Sequence, residues 1–321
     1  MEKTKVIIDC DAGVDDALAM ILALHSPELE VEAITAVNGN VPLDLVFENI
    51  KKVLCLVQPT ERPQIAKGAS RPLRGDSVYA FSFHGDDGLG GARVGRTDED
   101  AWWQSSTAPA HQLIPQLARR FPGQMSLIAT GPLTNLALAL QEDPEGMRKL
   151  GEVVIMGGAV RTRGNITPHA EFNIHVDPMA AKIVMESELP ITLVPLDVTH
   201  HVDLTPQIME QNLRVMKTRF SEFAIEATGY DFAARRFRIN AEAFHLHDPL
   251  AVAVAIDRSL VKTEALALEV ETEEGPYYGK TAESSQRSLG QQKIDVCLEV
   301  DGEGFLDLFL TRLKGSSCRP A

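Results

Sequence analysis

The chain has 321 residues, 44% of them hydrophobic, with 31 basic against 45 acidic side chains and a formal charge of −14. A chain of this size buries a large core, so neither a disordered nor a fibrous class fits, and the default is a soluble enzyme. The acidic balance argues against nucleic acid, whose binding rests on Lys and Arg contacts to phosphate; a neutral or cationic small molecule suits it better.

From Glu2-Lys3-Thr4-Lys5 the chain runs straight into the β-branched stretch Val6 to Ile8, with no signal-peptide core and no apolar stretch of transmembrane length. Cys10, Cys55, Cys297 and Cys318 lack metal-type spacing and read as reduced thiols, so a cytoplasmic protein without a membrane partner is expected. The first strand stops at Asp9, Asp11, Asp15 and Asp16, four acids within eight residues. Carboxylates this close disfavour each other's charge, so a cation between them is expected. A solvated acidic turn with a helix cap accounts for one or two of these acids but not for all four. An EF-hand loop is excluded by its length, by the missing closing Glu and by the preceding strand.

Asp15 and Asp16 fall where the helix dipole of the next segment favours acids, and the helix continues through Leu24. A second strand from Glu30 to Val37 ends at Asn38-Gly39-Asn40, and Leu43 to Val57 reads as a second helix. Strand, helix, strand at this spacing predicts a parallel sheet with right-handed crossovers whose ligands gather at the carboxyl ends of its strands. Phe81 to Gly95 carries five glycines in fifteen residues and reads as a mobile loop bearing His84, with a plain solvent-exposed turn as the alternative.

Further buried strands are predicted at Met125 to Ala129, Val153 to Met156 and Ile191 to Pro195. They end at Thr130-Gly131-Pro132, Gly157-Gly158 and Leu196-Asp197-Val198-Thr199-His200. A polar stretch from Asn165 to Asp177 precedes a helix from Pro178 to Ser187. A mixed helix from Phe220 to Arg238 leads to His245-Leu246-His247-Asp248-Pro249 and the apolar helix Leu250 to Ile256. Strands around Leu266 to Glu271 and Ile294 to Val300 and a helix from Gly304 to Lys314 close the chain. No repeat or linker divides it. The expected class is α/β, a single-domain, open, mostly parallel, Rossmann-like sheet flanked by helices, with extra C-terminal strands and a helix, over residues 1–321. Phe220, Phe223, Tyr230, Phe232 and Phe237 read as a packed helix face, and Trp102 and Trp103 as packing or surface residues.

The segment Asp9-Cys10-Asp11-Ala12-Gly13-Val14-Asp15-Asp16-Ala17 resembles the signature that opens the nucleoside hydrolases of the inosine-uridine preferring type, Asp-x-Asp-Pro-Gly-x-Asp-Asp. The resemblance continues in order through Val37 to Asn40, His84-Gly85 with Asp87 to Gly90, Thr130 to Asn135, Met156-Gly157-Gly158, Glu171-Phe172-Asn173, Asp177-Pro178 and His247-Asp248-Pro249. Ala12 stands in place of the signature proline, a change expected to loosen a turn without removing a ligand.

The resemblance implies calcium-dependent hydrolysis of the N-glycosidic bond of ribonucleosides to free base and ribose. It places Ca²⁺ on Asp11, Asp16, Asp248 and the Thr130 carbonyl, with Asp11 also the general base. Asp15, Asn40, Asn165, Glu171 and Asn173 are assigned to the substrate's sugar and Met156 to substrate binding, while Asp9, outside that assignment, reads as an acid that orients its neighbours. His247 is assigned to protonating the leaving base, with help from His84, which favours a non-specific or pyrimidine-leaning enzyme. A homo-oligomer, dimer or tetramer, is implied as well, and Tyr230 is a candidate reader of the base. The all-oxygen donor set agrees with calcium, and a carboxylate ring agrees with a sugar that gains positive charge as the base leaves. Two rivals stand beside this reading. One is a Mg²⁺-dependent phosphohydrolase with Asp9 as nucleophile, which leaves the Gly-Asn, Glu-Phe-Asn and His-Asp-Pro groups unexplained; the other is a non-catalytic nucleoside-binding protein.

Overall fold

The computed structural model describes residues 3–94, 102–238, 243–284 and 292–315, without the side chains of 230–238. Tyr230, Phe232, Phe237 and Cys318 therefore lie outside the described side chains.

Strand β1 (Thr4–Cys10) lies within a nine-stranded sheet, next to β2 (Leu29–Ala36). The other strands are β3 (Gln64–Lys67), β4 (Gln104–Ser105), β5 (Met125–Ala129), β6 (Glu152–Met156), β7 (Ile191–Val194), β8 (Val261–Leu266) and β9 (Ile294–Val300). Their order is β8-β9-β7-β6-β5-β1-β2-β3-β4, parallel throughout except between β8 and β9. From β1 the chain winds one way through β2 to β4 and then resumes on β1's other side with β5. That reversal opens a crevice beyond the carboxyl ends of β1 and β5, where open α/β sheets hold their ligands.

Both faces of the sheet are covered, which is why its strands read as continuous apolar runs rather than alternating ones. On one face Val6, Ile8 and Cys10 pack against α1 (Val14–Leu24), α2 (Leu43–Val57) and neighbouring helices. On the other, Ile7 joins a second core with α3 (Ala110–Arg120), α4 (Thr134–Glu142) and α5 (Pro178–Met185). Helices α6 (Arg219–Arg238), α7 (His247–Ile256) and α8 (Gly302–Leu313) complete the first layer.

Three sequence expectations need correction or completion. The single strand at Leu266 to Glu271 is two: β8 ends at Leu266 on the sheet edge, and Leu268–Val270 pairs with Thr281–Glu283 in a separate ribbon. The glycine-rich segment does hold a regular element, because Ala80 O accepts from the N–H groups of Phe83 and His84 and closes one helical turn at Phe81–His84. Residues 58 to 124 also contain β3, β4 and α3, which sequence reading left without an element; Pro115 inside α3 obscures its apolar stripe of Leu113, Ile114, Leu117 and Ala118.

Candidate active site

The acids lie on the crevice because of how β1 ends. Asp9 is the penultimate residue of β1, Asp11 follows it, and Asp15 and Asp16 form the first turn of α1, where the Asp16 carboxylate accepts from Gly13 N–H at 2.8 Å. Ala12 joins them with φ of 38°, a left-handed conformation that a proline ring excludes. The residue that stands in place of the signature proline therefore takes a backbone conformation that proline cannot. Gly13 is required there, since a Cβ would meet Asn40 Nδ2 at 2.6 Å and His84 Nδ1 at 2.8 Å.

Asp11 and Asn40, which follow adjacent parallel strands, meet on the carboxyl edge: Asn40 donates to Asp11 through its backbone N–H at 2.7 Å and through Nδ2 at 3.0 Å. The same Nδ2 lies 3.1 Å from Asp16 Oδ2, so one amide bridges the two acids. Thr130, just past β5, donates from Oγ1 to Asp16 at 2.7 Å, and its carbonyl accepts from Asn173 Nδ2 at 2.8 Å. Asp248, at the start of α7, brings a third acid from the far end of the sequence. Oxygens of Asp15, Asp16 and Asp248 all lie within 4.8 Å of one another. Sequence reading set Asp15 on the sugar instead; the structure brings it among the carboxylates as well.

All four of Asp11, Asp15, Asp16 and Asp248 are buried, and burial raises their pKa values, Asp15 to about 7, with repulsion from neighbouring carboxylates adding to it at Asp11, Asp15 and Asp248. Among the described residues, no Lys or Arg lines the cavity above them. Buried like charges without a basic partner, offering only oxygen donors, fit a hard divalent cation.

Asp9 points away from this group. Its Oδ1 accepts from Thr35 Oγ1 and, at 2.8 Å, from Asn135 Nδ2, while burial raises its pKa to about 7. Asn135 also donates to Ala36 O and accepts from Ala69 N–H, so it ties β1 to β2 and to the loop beyond β3. Thr35 and Asn135 are site-supporting residues that sequence reading missed; the available signal was a polar residue inside a buried strand and another inside an apolar helix.

The cavity above the acids has a volume of about 260 Å³ and is lined by every predicted substrate residue: Asp15, Asn40, Met156, Asn165, Glu171 and Asn173. Glu171 has a further job. Its carboxylate accepts from the N–H groups of Gly158, Asn173 and Ile174 at 3.0, 2.8 and 3.1 Å, so it holds the β6 turn against the short helix Phe172–Val176. Asn165 Oδ1 accepts from Phe172 N–H at 2.9 Å.

The cavity lining also carries both predicted histidines. His84 Nδ1 accepts from Val14 N–H at 3.1 Å, which puts its ring proton on Nε2. His247 Nδ1 is hydrogen-bonded to Thr199 Oγ1 at 2.7 Å. Beside them stand residues not assigned from sequence: Phe83, Ile166, Phe244, His200 and His245. Phe83 comes from the one-turn helix Phe81–His84, Ile166 and His200 from loops, and Phe244 and His245 from a two-residue strand, none of which periodicity marks.

Comparison with known proteins follows this geometry. A profile of the family described as inosine-uridine preferring nucleoside hydrolase matches residues 6–307. The pyrimidine-specific ribonucleoside hydrolase RihA of Enterobacter sp. (strain 638) is 36% identical over 319 residues, covering 98% of this chain and 99% of that protein. The enzyme of the same name from Salmonella arizonae is 37% identical over 313 residues, covering 96% and 98%. Among solved structures, a plant nucleoside hydrolase superposes with a TM-score of 0.91 at 32% identity, covering 98% of this chain and all of that one. A purine-preferring ribonucleoside hydrolase from Gardnerella vaginalis gives 0.88 at 34% identity, covering 97% and 98%.

Proposed function

The chain belongs to the inosine-uridine preferring nucleoside hydrolase family, and from that premise we propose a calcium-dependent, non-specific or pyrimidine-leaning ribonucleoside hydrolase with the division of labour described here. The observation that carries the proposal is the cavity itself, with a floor of buried carboxylates and amides and a wall of histidines and aromatic rings. Hydrolysis of the N-glycosidic bond leaves positive charge on the ribose and negative charge on the base, and the two sides suit those two charges.

Asp11, Asp16, Asp248 and the Thr130 carbonyl would hold the calcium, with Asp15 close enough to share either ion or sugar. A calcium ion held there supplies the positive charge that fixes ribose hydroxyls and makes a water easier to deprotonate. Asp11 takes the proton from the attacking water at a carboxylate oxygen, in an orientation fixed by the two Asn40 donors. Asn40, Met156, Asn165, Glu171 and Asn173 orient the ribose and stabilise its developing charge. His247, turned by Thr199, gives a proton to the departing base, and His84 supplies an Nε2–H on the same side. The pyrimidine lean is supported by His247 and by the two relatives named pyrimidine-specific. Reduced thiols favour a cytoplasmic enzyme, no helix of the described residues is long and apolar enough to cross a membrane, and a homo-oligomer follows from the family resemblance.

The test is incubation of the purified protein with uridine, cytidine, inosine and adenosine, with calcium or with chelator, measuring free base and reducing sugar. Release of base and ribose that stops with chelator is expected. No release from any nucleoside in calcium overturns the proposal.

A further inference from the structure

Phe244–His245 is a two-residue strand paired antiparallel with Asp203–Leu204, and His245 stands directly opposite Asp203. The His245 Nδ1–H donates to Asp203 Oδ1 at 2.6 Å, which commits one ring nitrogen and fixes the plane of the imidazole. The ring lines the cavity, so Nε2 is the nitrogen left for a ligand. His245 is one corner of a histidine triangle on that wall, its centroid 5.0 Å from His200 and 5.4 Å from His247, while His200 lies 5.9 Å from His247. The three rings do not form a group of converging metal ligands among the described residues, and two of their Nδ1 atoms are taken by Asp203 and Thr199. A hydrogen-bonding surface for a flat polar ligand remains.

We propose that His245, oriented by Asp203, is a specificity-determining residue that hydrogen-bonds the polar edge of the leaving base through Nε2, with Asp203 as its positioning residue. The inference rests on reading this cavity as the nucleoside site. With the acids given to the sugar, the lining left for the base includes His200, Phe244, His245 and His247. Of these, His245 is the one whose side chain is turned by a carboxylate from another strand, the arrangement that holds a ring firmly enough to discriminate between bases. The alternative is a cross-strand pair that only closes the ribbon.

The two roles separate in His245→Gln and Asp203→Asn, assayed on uridine, cytidine, inosine and 4-nitrophenyl riboside, whose leaving group has no base edge. A single hydrogen bond lost from a shielded site changes affinity by about 10- to 100-fold when one partner is charged and less when both are neutral. The uridine-to-inosine ratio of kcat/KM should therefore move by about 10-fold in His245→Gln, mostly through KM. It should move the same way by a smaller factor in Asp203→Asn and return toward wild type in Asp203→Glu. The aryl riboside should take the smallest loss. Equal losses on all four substrates, or a lower melting temperature with no change in the ratio, would reduce the pair to a structural clasp and overturn the inference. Wild-type protein that releases no base from any nucleoside is a different outcome and counts against the site reading itself.

Discussion

At the acid floor Asp11, Asp16, Thr130 and Asn173 are buried and stand on turns directly beyond strands or on the first turn of a helix, each held by named hydrogen bonds. At the wall Phe83 and Ile166 are each 38% exposed, and His245 sits on a two-residue strand. The floor is therefore tied to the sheet beneath it, while Phe83 and Ile166 on the wall are half-exposed and can vary without opening the core, unlike the buried Phe244. This is the arrangement a family needs when it keeps one bond-breaking reaction and varies the base, and it agrees with the chain being similar both to enzymes named pyrimidine-specific and to a structure named purine-preferring.

The contrast breaks most directly at Asp11. Asp11→Ala should lower turnover by about 10²-fold or more on uridine and inosine alike, with the circular dichroism spectrum intact. Turnover near wild type would remove Asp11 as the base. Gly39 tests the rigidity of the same end. A Cβ there would overlap Asp11 Oδ2 and approach Pro132 Cδ at 2.8 Å, so Gly39→Ala must displace the base or its backbone. Destabilisation of about 1–3 kcal/mol with a turnover loss of about 10-fold or more, equal for all bases, is expected.

His247→Ala acts at the wall and should discriminate. Loss of a proton donor costs nucleosides about 10- to 100-fold and an activated aryl riboside much less, because that leaving group needs no protonation. Equal losses would make His247 an orienting group.

Metal removal sharpens the floor's electrostatics. In the metal-free protein burial lifts Asp9 and Asp15 to about 7 from an ordinary value of 3.8. A folded-state pKa above the unfolded one means that the fold binds more protons, so its contribution is full below the unfolded pKa and is lost as pH rises through about 7. Chelated protein should melt lower at about pH 8 than at about pH 5.5, and added calcium should raise Tm more at the higher pH. A calcium shift independent of pH would place the ion elsewhere.

What sequence could show divides along the same line. β1, β5 and α2 were legible because a strand buried on both faces, or a long amphipathic helix, writes its burial as a continuous pattern, and acids at a strand's end are conspicuous. Asn40 could be paired with Asp11 because both follow adjacent parallel strands. Thr199 behind His247 and Asp203 behind His245 could not be found, since the contacts join positions 48 and 42 residues apart with no local signature, while Asn135 behind Asp9 showed only as a polar residue in an apolar helix, its partner 126 residues away. The break at Ala267, which sends β8 and the next ribbon into different sheets, left alternation uninterrupted and so was invisible.

The smallest effect probes how far the two ends are joined. The segment after the Phe81–His84 turn is held to the floor by Asn49, whose Nδ2 donates to Ala12 O at 3.2 Å and to Asp87 O at 2.8 Å. Its far end is held to α6 by Glu226, which accepts from Arg93 N–H at 2.9 Å and from its guanidinium at 3.2 Å. With the Arg93 side chain 91% exposed, that pair adds little to stability, so Glu226→Ala should cost less than about 1 kcal/mol. Loosening the segment should instead raise KM by a few fold while kcat stays put, because His84 keeps its bond to Val14 and Asp11 is untouched. A loss confined to KM identifies the segment as part of the wall. A fall in kcat comparable to that of Gly39→Ala would mean that floor and wall move as one body, and the separation between a fixed reaction and a variable base would have to be sought in single side chains such as His245 rather than in the backbone that carries them.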